Sequence, residues 1–128
     1  MSNWEEGDSA VLLLEKKLDK IIKEKISFEK KIELIGEELR KAAEPWNLKG
    51  DDRVLSMMNN SACADVEKIA EAEIEATKNS KGKIESKNKK LEKIEAEIDR
   101  ISWLAKGFVS SIRVKIAFIK AGFRLKIS

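Results

Sequence analysis

The sequence predicts a mainly α fold: a long antiparallel helical hairpin or coiled coil with a short helical connector and a basic, amphipathic C-terminal segment. Charged residues make up 38% and hydrophobic residues 42% of 128 positions, with one proline and six glycines. That is the composition of long helices. Apolar residues recur at alternating steps of three and four over residues 11–42 and again over 84–112, which is the spacing of a helical seam. A chain of this length makes one domain, expected here as a single elongated unit over residues 1–128.

The first helix is expected over about residues 9–43. Asp8-Ser9 offers an N-cap oxygen just ahead of an apolar run. Heptad a positions fall at Val11, Leu18, Lys25, Ile32 and Leu39, and d positions at Leu14, Ile21, Phe28, Ile35 and Ala42. Lys25 is the one charged member. Its stem is expected to pack while its ammonium reaches water, the alternative being a device that sets register. Leu12, Leu13, Ile22, Ile26 and Leu34 lie off the seam and widen the apolar face. Pro45 disfavours helical geometry at Glu44, so the helix should end near Ala43.

Residues 44–60 read as the connector. Asp51-Asp52 can cap a short helical turn, and Trp46, Leu48, Val54, Leu55, Met57 and Met58 are expected to cover the open end of the hairpin. A protein-binding hot spot is the alternative role for Trp46. Asn60-Ser61 then starts a second helix over about 61–107, weak or broken near 79–83, where Asn79, Ser80 and Gly82 fall. Its seam runs Ile84, Leu91, Ile94, Ile98, Ile101, Ala105, Phe108 and Ile112.

The final stretch, 108–128, reads FVSSIRVKIAFIKAGFRLKIS, with five basic residues and no acidic one. A helical wheel gathers Phe108, Ile112, Ile116, Ile119, Phe123 and Ile127 on one face but leaves Val114, Phe118 and Leu125 on another side. A period-two template fits better. Ile112, Val114, Ile116 and Phe118 alternate with Arg113, Lys115 and Ala117, and Gly122 can supply positive φ in a hairpin loop. A β-hairpin is therefore expected, with an amphipathic helix as the alternative.

Charge is divided along the chain. Residues 1–77 hold 12 Lys/Arg and 18 Asp/Glu, and residues 78–128 hold 14 and 5. Either the two halves neutralise each other or the basic half meets a polyanion. The chemical inventory is thin. With no histidine and one cysteine, neither a His-based triad nor a zinc site can be assembled. No stretch reads as a phosphate-binding loop, and Cys63 reads as a small apolar group rather than a reactive thiol. No enzymatic activity, cofactor, metal or small-molecule substrate is expected. The N-terminal stretch lacks a basic region followed by an apolar run, and no eighteen-residue apolar stretch exists, so a cytoplasmic location is expected.

The leading functional expectation is a helical adaptor, scaffold or inhibitor, of the kind carried by mobile genetic elements, that docks on another protein and self-associates as a dimer. Trp46, Trp103, Phe108, Ile112, Ile116, Phe118 and Phe123 are its candidate apolar contacts. The alternative is sequence-independent nucleic-acid binding by the basic half, through Lys83, Lys87, Lys90, Arg113, Lys115, Lys120, Arg124 and Lys126. A third reading anchors residues 103–128 on a membrane surface, beginning at Trp103.

Overall fold

The computed structural model describes the backbone of residues 3–101 and 106–127 and the side chains of 5–101 and 112–123. Five helices follow in order: α1 (Asn3–Lys23), α2 (Phe28–Lys49), α3 (Asp52–Asn79), α4 (Ile84–Arg100) and α5 (Lys106–Ile127). No strand occurs among the described residues. The fold is mainly α. The sequence reads as one elongated domain; the contacts gather into two compact units, residues 1–66 and 67–128, and α3 contributes to both.

In the first unit, two helices stand where one was expected over 9–43. The chain reverses at residues 24–27, and Lys25 sits exposed in that loop rather than in a seam. Local capping explains the break. The Lys30 amide donates to Ser27 Oγ at 3.1 Å, making Ser27 the N-cap of α2. At the other end of the loop, the Lys31 ammonium donates to the Ile22 carbonyl at 2.7 Å, satisfying one of the carbonyls that α1 leaves without a partner. The predicted seam residues are nonetheless buried: Val11, Leu14, Leu18 and Ile21 on α1, and Phe28, Ile32, Ile35 and Leu39 on α2. They meet because α1 and α2 pack against each other.

The end of α2 and the connector also depart from expectation. α2 continues through Pro45 to Lys49, and α3 begins at Asp52 instead of near residue 61. A proline inside a helix removes one backbone bond and costs about 3 kcal/mol. Burial of Trp46 offsets that cost. Gly50, at φ 71°, closes the helix: its amide donates to the Asn47 carbonyl at 3.1 Å, and the Asp51 amide donates to the Trp46 carbonyl at 3.0 Å, the two bonds of a Schellman cap. Asp51 then caps α3 by accepting from the Val54 amide at 3.2 Å. In place of the connector expected over 44–60 stands a two-residue corner, Gly50 and Asp51.

Gly7 sets how closely α1 meets the start of α3. A Cβ there would lie 2.6 Å from Val54 Cγ2 and 3.8 Å from Trp46 Cη2. Two polar contacts run along the same pair, Arg53 to Asp8 at 3.1 Å and the Ser61 hydroxyl donating to Glu15 at 3.0 Å.

In the second unit, α3 buries Ile69, Ala70, Ile74 and Thr77. It ends where the sequence is weakest. The Ser80 hydroxyl donates to the Thr77 carbonyl at 2.8 Å, and the Lys87 ammonium donates to the Lys78 carbonyl at 3.1 Å. After Gly82 the chain enters α4, which buries Leu91, Ile94 and Ile98, with Ile101 just beyond its end.

The expected β-hairpin is not formed: residues 106–127 are the single helix α5. Its core side carries Ile112, Ile116 and Phe123, all buried, while Val114 and Phe118 are exposed. Residues two apart on a helix point about 200° apart. Two opposed apolar stripes, each at the four-residue spacing and offset by two, therefore imitate strand alternation in the sequence. Gly122 lies inside α5 with nothing within 4 Å of an added Cβ. Gly122→Ala should thus raise stability by roughly 0.5–1 kcal/mol, read as a higher urea midpoint. A hairpin glycine at positive φ would give the opposite sign.

Candidate interaction surface

Of the seven apolar contact residues expected from the sequence, only Phe118 is placed on the surface by a described side chain. Trp46, Ile112, Ile116 and Phe123 belong to the cores of their units. Trp103 and the side chain of Phe108 lie outside the described residues, as do the side chains of Arg124 and Lys126.

Phe118 is 75% exposed and Val114 is 55% exposed. Ala117 and Ala121 are exposed as well. Positions 114, 117, 118 and 121 follow the i, i+3, i+4, i+7 pattern, so the four share one face of α5. The face contains no charged residue, and it is turned away from the core side. On the helical wheel Val114 and Phe118, with Leu125, fall on a side apart from the core residues. The spacing was the signal of a second face.

The described basic residues that border this stripe are engaged within the unit. Arg113 meets Asp99 at 2.7 Å, Lys115 meets Glu71 at 2.9 Å, and Lys120 meets Glu92 at 3.3 Å. The hydrogen bond to Asp99, reinforced by its charge, raises the Arg113 pKa above its ordinary value. The Arg113 side chain is more than half exposed, so the pair is set largely in water and contributes little to stability. Three carboxylates from α3 and α4 thus sit against the described bases of α5.

The remaining basic candidates lie at the start of α4. Lys83 and Lys90 are exposed. Lys87 is tied down, its ammonium at the Lys78 carbonyl and 5.6 Å from the centre of the Phe123 ring. This lysine serves packing.

Among the described residues no cluster of His, Cys, Asp and Glu could hold a metal ion, and no helix is long and apolar enough to cross a membrane. The arrangement offers an apolar helix face bordered by salt-bridged bases. No protein-family model, curated protein or solved structure matches the chain.

Proposed function

We propose that the protein is a non-catalytic helical docking module that binds another protein through the outer face of α5. One observation carries the reading: Val114, Ala117, Phe118 and Ala121 form an uncharged stripe that the unit's own core leaves exposed. An exposed aromatic with an aliphatic neighbour and two small residues beside them is a good seat for a partner helix, whose ridge can approach over the alanines. The bordering ion pairs fix the rim and exclude partners that present only apolar surface. Nucleic acid is favoured less, because each described base on α5 already faces a carboxylate, and the stripe between them offers a polyanion nothing.

The test compares host proteins retained by the tagged chain with those retained by its Phe118→Asp and Val114→Asp variants. Both variants should lose the retained partner while keeping the helical signal of the parent. Retention unchanged in both would sink the assignment to α5.

A further inference from the structure

α1 also has two faces. Its inner face, Val11, Leu14, Leu18 and Ile21, is buried with α2. On the opposite side Leu12 and Leu13 stand 57% and 56% exposed, with Glu5 and Ser9 on their N-terminal side and Lys16 and Lys20 on their C-terminal side, all exposed. At 100° per residue, Glu5, Ser9, Lys16 and Lys20 fall within about 30° of one line along the helix, and the two leucines flank that line. The outer face reads acid, apolar, base.

Three of the charges on this face, Glu5, Lys16 and Lys20, lack partners among the described residues, whereas Lys23, in line with them, has one. Lys17 pairs with Glu38, Lys23 with Asp19, and Asp8 with Arg53, while Glu15 accepts from Ser61. Among the described residues, Glu5, Lys16 and Lys20 form no ion pair or side-chain hydrogen bond. The unmatched acid and the unmatched bases sit at opposite ends of the same apolar centre.

We propose that a second copy of this chain docks on this face, α1 against α1, antiparallel about a twofold axis between Leu12 and Leu13. That axis brings Glu5 of each copy level with Lys20 of the other and Ser9 level with Lys16. The four leucines close around the axis. Charge selects this occupant and this direction. A parallel pair would set Glu5 against Glu5 and Lys20 against Lys20. Pairing through α5 would bring two helices that have bases and no acids face to face. The contact is isologous, so each side-chain pair occurs twice. It is also small, near the low end of specific interfaces, so the dimer forms at high protein concentration and weakens as salt screens the ends. The proposal stands on α1 alone and is independent of what α5 binds.

Sedimentation velocity at low salt over a wide concentration range tests it. The parent chain should pass from monomer to dimer. Glu5→Lys and Lys20→Glu should each weaken association roughly tenfold, because one substitution turns two attractive pairs into two repulsive ones. The double variant Glu5→Lys/Lys20→Glu restores opposite charges across the axis and should recover the parent's association. Leu12→Ser/Leu13→Ser should abolish it. Circular dichroism checks that each variant keeps its helices, since both reversals oppose the α1 dipole. A parent that stays monomeric throughout overturns the proposal, as does a double variant no better than the singles. Phe118→Asp should leave the dimer intact even when it loses the α5 partner. If Phe118→Asp dissolves the dimer, the copies meet through α5 and the α1 contact is wrong.

Discussion

Ile116→Ala will destabilise the second unit by about 2–5 kcal/mol, whereas Phe118→Ala, two residues away, will change stability by no more than about 0.5 kcal/mol. Ile116 is 1% exposed, and truncating it leaves a cavity beneath α5. Phe118 is the larger side chain, but at 75% exposure it has little packing to lose. The contrast separates two structures of one segment. On a strand, Ile112, Val114, Ile116 and Phe118 share a face and respond alike to truncation. On α5 they fall into two classes, Ile112 and Ile116 costly, Val114 and Phe118 nearly silent. Urea unfolding followed by circular dichroism measures all four. Equal costs at 116 and 118 would return the segment to a hairpin.

This segment shows why burial was easier to read from the sequence than connectivity. Every apolar member of the first seam through Leu39 is buried as its spacing implies, because an i, i+3, i+4, i+7 pattern states which side of a helix is dry wherever that helix begins or ends. Connectivity hangs on fewer atoms. The reversal at 24–27 depends on one Ser27 hydroxyl and one lysine contact to a carbonyl, neither of which interrupts the apolar period around them. Lys25 carried the hint: the single charge in the seam marks the loop. In α5 the period itself misled, since two stripes offset by two residues have the same sequence signature as one strand. The candidate site shares that difficulty. Val114 and Phe118 gain meaning only once Ile112, Ile116 and Phe123 are known to fill the core. The charge division was legible in kind: bases of the last helix do meet acids, but the acids are Glu71, Glu92 and Asp99 in the same unit.

Trp46→Ala is expected to be the most damaging change in the first unit, at about 3–5 kcal/mol. Trp46 is buried and its ring edge reaches within 3.8 Å of the position a Cβ on Gly7 would take. The Lys49 ammonium lies over the ring, 4.4 Å from its centre. The indole thus ties the last turn of α2 to the region where α1 and the start of α3 come closest. It also holds that turn against Pro45, which on its own favours ending the helix at residue 43 or 44. Removing the indole removes the burial that opposes the proline. Truncation should therefore do two things: lower the urea midpoint and release the amides of Gly50 and Asp51, whose hydrogen bonds to the Asn47 and Trp46 carbonyls form the cap. Trp46→Phe keeps most of the buried ring and should retain the cap. A cost below about 1 kcal/mol for Trp46→Ala, in the range of surface changes, or unchanged exchange at Gly50 and Asp51, would mean that α2 crosses its proline without this anchor. It would also leave the Gly50 turn, rather than the indole, to explain why the helix reaches Lys49.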